Sequence, residues 1–117
     1  MMTNTDVTLY RRSASSGTET WTRKGVIADV QWEDRKAENV VRSGLLDADR
    51  AWVYIPMARN ATVKPGDVLV KGVVDKTINA SYPLSKLHAE NTAITVRSVD
   101  TFDFGSPSMQ HLQIGGA

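Results

Sequence analysis

The chain has 117 residues, 14 Lys+Arg against 13 Asp+Glu, a net charge of +1 and 41% hydrophobic side chains. That is the size of one ordinary globular domain, long enough to bury a core without cross-links. With no cysteine, disulfide frameworks and thiolate zinc sites are excluded, and the balanced charge leaves no overall basic footprint for nucleic acid.

In chain order, Val7 and Leu9 alternate with Thr8 and Tyr10, the period of two that marks a half-buried strand. A small polar loop, Ser13 to Gly17, separates it from a second strand. There Val26, Ala28, Val30 and Trp32 are expected on one face, with Asp29 and Gln31 on the other. From Glu33 to about Arg50 the pattern lapses, and an irregular connection of that length in a small domain is uncommon and usually functional or disordered. Ala51 to Met57 is apolar on both faces, as suits a central strand or one whose second face meets another chain. Pro56 must end that strand, because proline cannot donate to a ladder.

Lys64-Pro65-Gly66-Asp67 fits a type II turn, with φ fixed at its second position and positive at its third. Val68 and Val70 against Asp67 and Lys71, and Ile94 and Val96 against Thr95 and Arg97, read as further strands. Between them Pro83 to His88 predicts one or two helical turns, with Pro83 at the first position. The tail from Phe102 to Ala117 combines aromatics with Gly105, Pro107 and a Gly-Gly-Ala end, and is expected to be extended. The fold class is therefore all-β. It is a small barrel or sandwich over residues 1–117, with a long projecting loop at 33–50, at most a short helix, and a C-terminal strap at 102–117. No apolar run approaches the ~20 residues of a membrane span. The opening residues, Met1 to Asp6, lack the basic-then-apolar order of a secretory signal, so a protein made in the cytoplasm is expected.

No catalytic set emerges, and the chain is not expected to be an enzyme. His88 and His111 lack a second His, Asp or Glu at i+3 or i+4, so surface or packing roles are expected rather than metal ligation. Gly105-Ser106-Pro107-Ser108 is not the Gly-x-Ser-x-Gly of a nucleophile elbow. Neither Gly25 nor Gly66 opens a phosphate-binding loop. Glu33-Asp34 and Asp47-Ala48-Asp49 have the oxygens for a hard cation, but read as solvated turns. Arg11, Arg12, Arg23 and Lys24 flank the first hairpin without interleaved aromatics, so a plain charged surface is preferred to a nucleic-acid site. Trp21, Trp32 and Trp52 lie on or beside strands and are expected in the core. Phe102 and Phe104, beside Gly105, are either an anchor for a neighbouring subunit or part of the chain's own core.

The run Val99-Asp100-Thr101-Phe102-Asp103-Phe104-Gly105-Ser106-Pro107-Ser108-Met109-Gln110-His111 resembles the end of small minor capsid or head–tail connector proteins of tailed bacteriophages and prophages. The upstream order is similar too: Asp6 to Tyr10, Trp21-Thr22-Arg23, Ile27 to Trp32, Trp52 to Pro56, and Lys64 to Val70. The resemblance covers most of the chain. It implies a structural virion protein of the neck, of the stopper or head-completion type. Such a subunit would form a homo-oligomeric ring between the portal and its adaptor and the tail-tube or tail-terminator proteins, with packaged DNA nearby and no cofactor. The projecting loop would then supply Glu33, Asp34, Arg35, Lys36, Val40, Val41, Arg42, Leu45 and Leu46 to subunit contacts. The strap would supply Phe102, Phe104, Met109 and His111. The same barrel type serves tail terminators, and a small OB- or SH3-like nucleic-acid-binding barrel is the remaining alternative.

Overall fold

In the computed structural model, which describes residues 3–15, 17–34, 50–79, 81–106 and 109–117, the alternating segments become antiparallel strands. β1 (Thr5–Ser15) and β2 (Thr18–Asp34) form a long hairpin. β3 (Ala51–Pro56), β4 (Val68–Lys71), β5 (Ala93–Phe102) and β6 (His111–Gly116) follow, with helix α1 (Leu84–Glu90) between β4 and β5. Among the described residues, these six strands close into a barrel in the order β1-β2-β3-β6-β5-β4. Pairing of β4 with β1 over Val7 to Tyr10 completes the ring. The all-β expectation holds, and among the described residues the α-helix is short.

Alternation alone misplaces part of β2. Thr5 faces Val30 and Val7 faces Ile27, so three steps along β2 span two along β1. That extra residue is a β-bulge, and Asp29 beside it has φ 54, a left-handed conformation that Asp tolerates better than most side chains. The bulge reverses the phase of the strand. Ile27, Val30 and Trp32 therefore reach the core, whereas Val26 and Ala28, expected on the same face as Val30, are exposed.

The barrel is filled from every strand, with Val7, Trp32, Val53, Leu69, Ile94 and Ile114 all buried in one cluster. A second cluster lies outside it. Tyr10, Val68 and Val70 point away from the interior and are covered by Leu87 of α1, with Val74, Ile78 and Tyr82 packed around them. Consequently β4 is buried on both faces. Each fully buried aliphatic side chain contributes roughly 1.5–3 kcal/mol, so this outer layer is a structural part of a small fold.

The Pro-Gly-Asp turn forms as expected, with Gly66 at φ 95 and the Asp67 amide donating to the Lys64 carbonyl at 3.0 Å. Asp67 is 3% exposed. Its carboxylate accepts from the Lys64 amide at 2.9 Å and pairs with the Arg11 guanidinium at 3.0 Å. Arg11 also donates to the Thr62 carbonyl at 2.9 Å. One cation thus fastens the turn to β1.

Two expectations change at the ends of the irregular segments. Glu33 and Asp34 are not loop residues but the last two of β2, opposite Trp52 and Ala51. The tail is not a strap along its whole length either. Phe102 ends β5, and residues 111–116 form a barrel strand hydrogen-bonded to β3 on one side and β5 on the other. The alternation Leu112, Ile114 against His111, Gln113 carries that strand. Gly116 fits where no side chain would, since a Cβ there would lie 2.5 Å from the Thr95 carbonyl oxygen.

Candidate assembly surface on β3, β5 and β6

With Ala51, Val53 and Ile55 turned inward, Trp52, Tyr54 and Pro56 face outward and are half-buried. Register carries this face across the neighbouring strands. Tyr54 lies opposite Gln31 on one side and Gln113 on the other, and Gln113 lies opposite Asp100. Pro56 lies opposite His111, and His111 opposite Phe102. The non-polar alternate positions of β3 thus meet the aromatic end of β5 on the barrel exterior.

Four rings form a continuous line there. Phe102 stacks on His111 with centroids 5.0 Å apart and planes at 15°. Tyr54 meets His111 edge-on at 5.8 Å, and Phe104 meets Phe102 edge-on at 5.9 Å. Such pairs contribute roughly 0.5–1.5 kcal/mol beyond the area they bury. The His111 ring is fixed by a 2.8 Å contact from Nδ1 to the Met109 carbonyl. Because a carbonyl can only accept, that contact puts the proton on Nδ1 and, in the neutral ring, leaves Nε2 as an acceptor. The Met57 amide donates to the Gln110 carbonyl at 3.1 Å, and the Gln110 side chain to the Gly105 carbonyl at 3.2 Å.

This face is unusually apolar for solvent. Phe104 is 71% exposed and Met109 is 63% exposed. Asp100, Asp103 and Glu33 are exposed around it. Partial burial raises the Tyr54 hydroxyl pKa above its ordinary value, and the Glu33 charge adds to the shift.

The expected interface residues therefore divide. Phe102, Phe104, Met109 and His111 are brought together, and Tyr54 joins them. Glu33 sits beside Tyr54. Asp34 is otherwise engaged, since it accepts from the Trp32 indole at 2.8 Å and lies 3.9 Å from Lys71 Nζ. Arg35, Lys36, Val40, Val41, Arg42, Leu45 and Leu46 lie outside the described residues. Tyr54 is not among the residues the sequence assigns to subunit contacts, although the double apolar alternation of Ala51 to Met57 is a signal for it. Of the tryptophans, Trp32 is core, Trp21 packs at the outer cluster, and Trp52 faces out.

The basic residues beside the hairpin are largely neutralised. Arg11 is bound to Asp67, Arg12 pairs with Glu19 at 3.4 Å, and Arg23 pairs with Asp75 at 3.7 Å while donating to the Val74 carbonyl. An open cavity of about 400 Å³ beside Arg11 and Lys24 is lined mainly by Leu9, Val26, Ile27 and Ala61. Among the described residues no group of three or more His, Asp or Glu converges as a metal site. No helix among them is long and apolar enough to cross a membrane.

Comparison with curated proteins and with solved structures finds no match for this chain. One family model, described as "Family of unknown function (DUF6751)", matches residues 2–117. The chain thus belongs to the DUF6751 family, whose function is not established.

Proposed function

We propose that this protein is a structural subunit of the tailed-phage neck, a head–tail connector of the stopper or head-closure type, working as a ring between portal or adaptor and tail. The observation that carries this reading is the exposed aromatic line Tyr54–His111–Phe102–Phe104 with Met109 beside it. Its β5 and β6 members fall within the segment that resembles the end of connector proteins. An assembly subunit needs anchors of this kind. Aromatic and methionine side chains are enriched in interface cores, and the rigid aromatic rings supply contact area at low conformational cost. The rest of the barrel provides rigidity, since Arg11–Asp67, the outer layer over β4 and the closed strand ring fix the face in place.

The test is genetic and structural. In a phage or prophage that encodes the chain, its loss should leave DNA-filled heads and finished tails that do not join. Normal joining in its absence would overturn the proposal. A tail terminator or another neck-ring subunit would use the same face, and the position of the chain along the neck separates these layers. The nucleic-acid-binding alternative draws less support, because carboxylates already engage three of the four cations on which it rested.

A further inference from the structure

The described residues carry a second unpartnered feature, on the layer outside β1 and β4. Tyr82 packs onto the outer cluster, and two lysines hold their ammonium groups over its ring, Lys86 at 5.5 Å and Lys76 at 5.9 Å from the centroid. Both lysines are exposed, and neither has a carboxylate within salt-bridge distance among the described residues. Nearby acids are already engaged: Asp75 pairs with Arg23, and Glu90 accepts from the Tyr82 hydroxyl at 3.4 Å. The result is a cationic knob on an aromatic base.

The strand order places this knob. It rides on the layer that covers the outer faces of β1 and β4. In the ring β1-β2-β3-β6-β5-β4, strand β1 lies three steps from β6, and β4 three steps from β3. The knob thus lies across the barrel from Tyr54 and His111 on β3 and β6, while Phe102 ends β5, whose first residues, Ala93 to Thr95, pair with β4. Asp100 precedes Phe102 by two residues and Asp103 stands between Phe102 and Phe104 in the chain; both are exposed and without an ion-pair partner among the described residues. Arg97, the nearest cation on β5, lies at the bulge end of the strand, five residues from Phe102.

We infer that these faces are the two halves of one contact between copies of this chain. The Lys76–Tyr82–Lys86 knob of one copy docks on the Phe102–Phe104 face of the next, with Asp100 and Asp103 as its acidic partners. The inference rests on the neck-ring reading and names its subunit contact. Charge complementarity selects a second copy as the occupant: like faces repel through paired acids or paired lysines, while unlike faces attract and orient. Lysines arriving over Phe102 and Phe104 also gain cation–π attraction. Two different faces make a heterologous contact, which closes into a ring when the rotation permits.

The absence of cysteine makes the test clean. Lys86→Cys and Asp103→Cys are placed in separate chains, mixed, and treated with a short thiol–thiol cross-linker. The mixture should give dimers, each variant alone should not, and a chain carrying both substitutions should give a ladder. Charge reversal supplies the second arm. Lys76→Glu/Lys86→Glu and Asp100→Lys/Asp103→Lys should each lower cross-linking at neighbouring cysteines by about tenfold, and their combination in one chain should restore it.

Equal cross-linking of the single variants, no dimer in the mixture, or no rescue by the combined reversal would overturn the inference. So would tight DNA binding by the lysine knob with no ladder. The neck reading fails separately: a ladder from a chain missing from virion necks removes only that reading. A neck ring built through other faces removes only this contact.

Discussion

Gly116→Ala tests whether the end of the chain is barrel or appendage. Gly116 lies opposite Ala51 on β3 and Val96 on β5, and its carbonyl accepts from the Arg50 amide at 2.7 Å. A Cβ at this position would fall 2.5 Å from the Thr95 carbonyl oxygen and 3.0 Å from Ile94 Cδ1. The Ile94 side chain can rotate, but the Thr95 oxygen belongs to the backbone. It is held in place, because the Thr95 carbonyl accepts from the Ala117 amide at 3.2 Å and the Thr95 amide donates to Ala117 at 2.9 Å. The added methyl must therefore push β5 and β6 apart, an overpacking cost of about 2–3 kcal/mol. For a chain of this size that is a fall in Tm of about 10 °C. Urea unfolding followed by tryptophan fluorescence should show a lower midpoint with an unchanged slope. Gly66→Ala is the comparator. It sits at φ 95 with nothing within 4 Å of the added Cβ, so it should cost only the left-handed backbone penalty, about 1 kcal/mol. If Gly116→Ala is no worse than Gly66→Ala, β6 does not occupy its place between β3 and β5.

Removing residues 111–117 should abolish cooperative unfolding, because the deletion opens the ring at β3 and β5; a sharp melt in the truncated chain would refute this. Arg11→Met strands the buried Asp67 carboxylate with the Lys64 amide. It should cost about 2–3 kcal/mol, below the value for a fully buried pair because a quarter of the Arg11 side chain is exposed; urea midpoints measure it. Burial raises the Tyr10 pKa above 10.0, against the opposing pull of Arg23. The native state therefore keeps a proton that the unfolded chain releases near pH 10, so this contribution to stability is intact below that pH and is lost as pH climbs through the folded value. Urea melts from pH 8 to 11 should show that loss, and Tyr10→Phe should reduce it. Phe104→Ala should leave stability within about 0.5 kcal/mol of wild type, since the ring is exposed, yet fail to complement a phage lacking the chain.

Local pattern accounts for much of the fold, and its failures have identifiable causes. The Pro65-Gly66 turn and the short helix after Pro83 follow from backbone restrictions that act within a few residues, so they are legible in the sequence. The phase of β2 is not, because the bulge at Asp29 reverses it and no residue type announces a bulge of that kind. The place of β6 is also hidden. Leu112 and Ile114 alternate, but a six-residue strand ending in two glycines resembles a tail until β3 and β5 are seen to flank it. For the candidate surface, Phe102 and Phe104 stand out by type, and Met109 and His111 only through the resemblance of the tail, while Tyr54 joins them through a ring contact with His111 across the ladder. The Lys76–Tyr82–Lys86 knob has no sequence signal, since its members are brought together by the turn before α1 and the packing of that layer on β1 and β4.

The most direct test of the central claim is a cryo-electron microscopy reconstruction of the neck from virions of a phage that encodes this chain. The expected result is a ring of these barrels between portal and tail, with Phe102, Phe104 and His111 buried against the adjoining subunit. A neck without the chain, or a ring in which that aromatic face looks into solvent, would contradict it.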